Sequence, residues 1–258
     1  MGIVHKNNAT IWTNEFSSEE AILKRTPYDP EILILGTFNP ALQKTNFSDF
    51  FYGRNYFWPI LYNIFKANSI ELSKRRIAPN CKSAPKQLLP SLNQIFELCK
   101  LLKLSFADLI SEAFYREGHN ATELEGGKIQ FKGRIYNLIR DDAYNGELGL
   151  KQIDAVKEIK WNDSQIIQYL HNTPSIKRIY FTRKRDSIWQ RPIEEVERRT
   201  KLKVESLFTP SGNGLEGRPR IEKLINHWLY NESSDYSRLD PRLLRRYAPN
   251  FPTKYERL

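Results

Sequence analysis

Two asparagines, Asn39 and Asn55, lie within the aromatic-rich stretch "EILILGTFNPALQKTNFSDFFYGRNYFW", residues 31–58. A side-chain amide donates and accepts hydrogen bonds, so it can read a base edge or orient a water, but it takes no proton at pH 7. Aromatic rings stack on a base that has been turned out of its helix. Phe38, Phe47, Phe50, Phe51, Tyr52, Tyr56, Phe57 and Trp58 supply such rings. The plainer alternative makes the rings core and the asparagines turn formers. These residues alone leave both readings open.

Other constellations carry less. Gly212-Asn213-Gly214-Leu215-Glu216-Gly217 matches G-x-G-x-x-G between a strand and a helix. A dinucleotide fold needs a further strand with an acid near its end. Only a basic tail follows, so the glycines are read as a turn or a close approach to a phosphate. Asp142 with Glu158-Ile159-Lys160 imitates a Mg²⁺-nuclease pattern, which needs Glu and Lys on one strand face beside the metal. "IDAVKEIKWND" reads equally well as a solvated helix or loop. The zinc-deaminase signature H-x-E…P-C-x-x-C is absent, which excludes deamination by that route. Four scattered histidines and two cysteines, Cys81 and Cys99, suggest neither a metal site, an iron–sulfur cluster nor a disulfide framework. The expectation is no metal and no cofactor.

The chain has 258 residues and a net charge of +10, enough length for a core without staples and a surface that favours a polyanion. No apolar run is long enough to span a bilayer, and no signal-peptide pattern opens the chain. We therefore expect a cytoplasmic protein that engages no membrane. Arg75 and Arg76 in the basic segment 71–86, Arg183-Lys184-Arg185, and Arg218 are the expected contacts to such a polyanion.

These residues need elements to position them. "EILILG" (31–36) reads as a buried strand. Phe57, Ile60, Leu61, Ile64 and Phe65 recur on one helical face, with Pro59 allowed only in the first turn. Residues 92–102 and 106–114 read as helices, and 128–139 as a strand or hairpin element. A helix over 164–172, a strand over 176–182, a helix over 186–199 disturbed by Pro192, and a strand over 203–208 follow. Ile221, Leu224, Ile225, Trp228 and Leu229 mark the last helix. Alternating strands and helices predict an α/β domain with a mainly parallel central sheet flanked by helices. We place this domain at 1–230 and a basic, Pro-containing C-terminal extension at 231–258, either docked or an electrostatic arm. Segments 71–86 and 115–128, the longest without clear periodicity, are expected to border the pocket.

"ILILGTFNP", "FYGRNYFW", "FADLI" and "FTPSGNG", in this order, resemble the uracil-DNA glycosylase superfamily over roughly residues 30–230, most of all its hypoxanthine-DNA glycosylase-like branch. The resemblance implies that fold and a monofunctional DNA glycosylase. Such an enzyme flips a base, hydrolyses its glycosidic bond without a lysine nucleophile, and leaves an abasic site. G-x-N-P members position the water with the loop asparagine, here Asn39; the hypoxanthine branch uses the asparagine of R-N-x-F-W, here Asn55. Gly36, Thr37, Phe38, Phe51, Tyr52, Arg54 and Phe57 would form the substrate pocket. Ser211 and Asn213 would pinch a phosphate, with Leu215 as the wedge in the vacated stack. The first loop departs from the pattern: it carries one residue more than G-x-x-P and lacks the superfamily's water-activating Asp.

The implied partner is DNA, double- or single-stranded with one base flipped, bound by a monomer. The base is either a deaminated one, which means repair, or a hypermodified phage base such as glucosylated hydroxymethylcytosine, which means antiviral defence. A non-catalytic reader of modified DNA and a Mg²⁺-dependent nuclease are the rivals.

Overall fold

The computed structural model describes residues 2–4, 16–17, 21–38, 51, 55–67, 90–114, 121–124, 128–131, 150, 154, 159–212, 215, 220–230 and 233–251. Four short N-terminal strands are β1 (Gly2–Val4), β2 (Phe16–Ser17), β3 (Ile22–Leu23) and β4 (Ile32–Gly36). Helix α1 (Phe57–Tyr62) runs into a π-turn (Asn63–Ala67), and α2 spans Leu92–Leu102. Strands β5 (Leu104–Asp108), β6 (Ile110–Phe114), β7 (Ala121–Leu124), β8 (Lys128–Phe131) and β9 (Ile159–Trp161) come next. They are followed by α3 (Asp163–Asn172), β10 (Arg178–Phe181), α4 (Gln190–Thr200), β11 (Val204–Ser206), α5 (Arg220–Tyr230) and α6 (Pro241–Tyr247).

The central sheet has the order β11-β10-β4-β5-β3-β2. Its four strands β11, β10, β4 and β5 are parallel, and β3 and β2 extend it antiparallel. The protein is thus mixed α/β with a mainly parallel central sheet flanked by helices. A second sheet, β1-β6-β9, is antiparallel, and β7 and β8 form a hairpin. Both faces of the central sheet are covered, so β4 and β5 are buried along their whole length. On one face Ile32, Ile34 and Phe106 pack with α1, α2 and α5 around Phe57, Trp58 and Trp228. On the other, Leu33, Leu35, Ala107, Ile179 and Phe181 pack with α3, α4, Trp189 and Ile159 of β9. Among the described residues no helix is long and apolar enough to cross a membrane.

Most elements fall where the pattern puts them, with instructive exceptions. Residues 106–114 are not a helix but the end of β5 and all of β6, with Leu109 turning the chain from one sheet into the other. Burial on both faces removes strand alternation, and the apolar spacing left behind imitates a helix. Residues 159–161, read as helix or loop, are strand β9. Pro192 does not disturb its helix: it is the third residue of α4, a first-turn position that needs no N–H, after a 3₁₀ turn at Ser187–Trp189. Pro59 is likewise third in α1. Residues 121–124, within a segment read as aperiodic, are β7. The described part of 128–139 is β8.

The C-terminal stretch is docked. Asp240 caps α6 by accepting from the Arg242 N–H (2.7 Å), and Pro241 takes the first helical position. Leu239, Ala248 and Phe251 are buried in the same core cluster as α1 and α5. The Asp240 N–H donates to the Tyr180 hydroxyl (2.9 Å), and its carboxylate pairs with Arg178, tying α6 to β10. Burial pushes the Asp240 carboxyl up, but Arg242 hydrogen bonds and the Arg178 charge outweigh it and hold the group below the usual carboxylate range.

Candidate active site

In chain order the parallel strands run β4, β5, β10, β11, yet β10 lies on the opposite side of β4 from β5. The order reverses between β4 and β10, and ligands of open α/β sheets bind beyond the carboxyl ends of the strands at such a switch point. Gly36, Thr37 and Phe38 leave β4 there. The carbonyls of Gly36 and Thr37 accept from Leu109 (3.0 Å) and Ile110 (3.1 Å), which fixes the loop's first turn. Thr182, at the end of β10, donates both its N–H (3.1 Å) and its hydroxyl (3.2 Å) to the Leu35 carbonyl.

Two contacts tie the described residues of the 51–58 block to the sheet and its loops. At one end the Phe51 ring stacks on Phe106 of β5, with centroids 5.1 Å apart. At the other, the Tyr56 N–H donates to the Pro210 carbonyl (2.9 Å), in the loop that leaves β11. Between them, partly exposed Asn55 accepts the Phe57 N–H at its Oδ1 (3.0 Å), shaping the start of α1. That bond uses one of two oxygen lone pairs. The second lone pair and the two amide N–H groups are what Asn55 has to offer a ligand.

The late loop is a tight turn. Gly212 N–H bonds the Thr209 carbonyl (3.0 Å), Pro210 sits second, and Gly212 itself has φ 66°, a backbone that favours glycine. Ser211 Oγ lies 3.1 Å from Thr209 Oγ1. Trp228 of α5 anchors the loop by donating to the Phe208 carbonyl (2.9 Å).

The structure sorts the expected site residues into three groups. Gly36 and Thr37 leave the end of β4, Phe38 packs against the core cluster on the α3–α4 face, and Asn55 and Ser211 flank the Tyr56–Pro210 bond. Phe51 and Phe57 are core: Phe57 is fully buried, edge-on to Trp58, Phe106 and Trp228. Leu215 packs against the core cluster as an anchor. Asn39, Tyr52, Arg54, Arg75, Arg76, Asn213 and Arg218 lie outside the described residues, as do Asp142 and Glu158. Lys160 is exposed on β9.

The basic triplet after β10 is engaged internally. The Arg183 guanidinium lies 5.8 Å from the Trp189 ring centre. Lys184 bonds Asp235 (2.7 Å), whose carboxylate holds the ammonium's pKa above its ordinary value. Arg185 makes a two-pronged pair with Glu197, at 3.0 and 2.5 Å.

One group escaped the sequence reading. Asp108 ends β5, is buried, and pairs in register with Gly36. Its signal was a lone acid within the apolar run "LSFADLI". Among the described residues no group of three or more His, Cys, Asp or Glu could hold a metal ion. Compared with family models, curated proteins and solved structures, the chain matches none.

Proposed function

We propose that this chain is a monofunctional DNA glycosylase with a uracil-DNA glycosylase-like fold, excising a deaminated or hypermodified base and leaving an abasic site. One observation carries the reading. The hydrogen bond from Tyr56 to Pro210 sets Asn55-Tyr56 beside the T-P-S-G turn, and that turn and G-T-F both follow the carboxyl ends of parallel strands. Three separated stretches of a neutral, amide-bearing pattern thus converge at a switch point. The chemistry follows from their types. Asn55 orients water or reads the base edge, and the turn after β11 presents Ser211 to a phosphate. Positioning and electrostatics replace a strong base at these positions.

The test incubates the protein in EDTA with DNA carrying uracil, hypoxanthine or glucosylated hydroxymethylcytosine, then identifies released bases by mass spectrometry. Release of a free base, with alkali-labile sites left in the strand, is expected. Asn55→Ala should lower that release about 100-fold with DNA affinity retained. Binding without release would make the protein a reader of modified DNA. Strand cleavage that needs Mg²⁺ would make it a nuclease.

A further inference from the structure

We infer that the amino end of the parallel strands is a second surface, fitted to the phosphate backbone of duplex nucleic acid and independent of the glycosylase reading. Its seat is the row of segments that lead into β11, β10, β4 and β5, at the opposite end of the sheet from the candidate active site. β4, five residues long, separates the two ends by about 16 Å. Backbone bonds stitch the row together. The Lys177 N–H donates to the Glu31 carbonyl (2.9 Å), and the Glu31 N–H to the Lys103 carbonyl (2.9 Å). The ring Nε2 of His171 lies 3.4 Å from the Arg199 carbonyl, joining the ends of α3 and α4.

Segments 29–31, 100–103, 173–178 and 198–203 hold eight basic residues and two acids. Part of that charge is closed inside the fold. Lys103 pairs with Glu31, Arg178 with Asp240, and Arg198 with Glu195, which also lies in the field of Arg199. Lys100, Lys177, Lys201 and Lys203 are exposed and form no ion pair among the described residues, and Asp29 is the one exposed acid of the row. A helix C-terminus attracts cations, which accounts for Lys100 and Lys103 at α2 and for Lys201 at the end of α4. Lys177 and Lys203 lie past any last turn, just before β10 and β11, where no helix dipole calls for them.

Four strands at a spacing of about 4.8 Å make a row about 14 Å across. Along one strand of a duplex a phosphate recurs about every 3.4 Å of axis, so the row meets about four. The segments contain no Phe, Tyr or Trp on which an unpaired base could stack. Their aliphatic residues, Leu101, Leu102, Ile176 and Leu202, pack against the core, leaving no apolar wedge for a bilayer. A ring-free row of exposed lysines suits backbone phosphates, which position a protein without reading sequence. A duplex is stiff over about 150 bp, so a segment lying here does not bend round to the candidate active site.

The experiment titrates the full chain with a short duplex free of modified bases at several salt concentrations, alongside melting temperature. Lys177→Gln, Lys201→Gln and Lys203→Gln together should weaken binding at least about tenfold and lower the slope of log affinity against log salt by about 3. Lys177→Gln or Lys203→Gln alone should lower that slope by about 1, which decides the matter should the triple variant fold poorly. Arginine at all three positions should keep both affinity and slope. An unchanged slope in the glutamine variants overturns the inference. So does tighter binding to the matching single strand, or to vesicles of phosphatidylcholine and phosphatidylserine in equal parts, than to the duplex.

Discussion

The loops that leave the adjacent strands β4 and β10 make opposite use of their residues. The first, Gly36-Thr37-Phe38, carries no charge and holds its shape through backbone carbonyls bonded to Leu109 and Ile110. The second, Thr182-Arg183-Lys184-Arg185-Asp186, is the most charged turn at the mouth, yet its three cations are engaged by Trp189, Asp235 and Glu197. Charge density along a sequence is therefore a poor guide to charge offered to a ligand. An ion pair closed within the fold contributes rigidity and releases few counterions from DNA.

Three measurements would break or sharpen that contrast. Deleting residues 238–258 removes six basic and two acidic residues, a net charge of +4. If the basic stretch is structural, like the β10 loop, the main effect is on stability, since Leu239 and Phe251 leave the core. At about 1.5–3 kcal/mol per large apolar side chain, the loss should be about 5 kcal/mol. The melting temperature should fall by roughly 10 °C or more at every salt concentration. A loss of affinity at high salt with unchanged melting would instead make the stretch an electrostatic arm.

Arg185→Ala should cost about 2 kcal/mol in denaturant unfolding, because it breaks a two-pronged charged pair that also anchors β11. The same Glu197 carboxylate accepts the Val204 N–H (2.8 Å). DNA affinity should stay within about twofold, because the guanidinium is already paired with Glu197. A steep loss of affinity with a smaller salt slope would show that Arg185 contacts phosphate after all. The smallest effect belongs to Lys184→Ala. Its pair with Asp235 lies in solvent, so neither the melting temperature nor affinity should move measurably.

How much of this was legible in the sequence depends on what each signal measured. Helix α2 matched to the residue, because Ser91 and Gln94 form a reciprocal cap and Lys103 ends it at φ 52°. The strand "ILILG" was legible as a buried run, and the last helix through Ile221, Leu224, Ile225, Trp228 and Leu229, all buried. Residues 106–114 misled because apolar spacing in a doubly covered strand carries no period of two. The loops that follow β4 and β11 were legible as leaving the same end of the sheet, since alternating strands and helices implied parallel strands. The burial of Asp108 was not legible, because the stretch that holds it was read as a helix. The ring contacts of Phe51 and Phe57 were unreadable, because spacing does not say whether a ring faces a core or a cleft.

The bond from Thr182 to the Leu35 carbonyl joins positions 147 apart in the chain. During synthesis β4 and β5 emerge long before β10, so for much of translation the flank of β4 that β10 will occupy has no partner. At roughly 5–20 residues per second that interval is about 7–30 s. Such an edge invites pairing with other nascent chains, and a sheet closed by so distant a partner folds slowly. The crevice itself comes into being only when β10 docks. A nascent chain halted before residue 178 would carry Gly36 and Asn55 with that flank of β4 still open, so the arrangement at the strand ends is completed late.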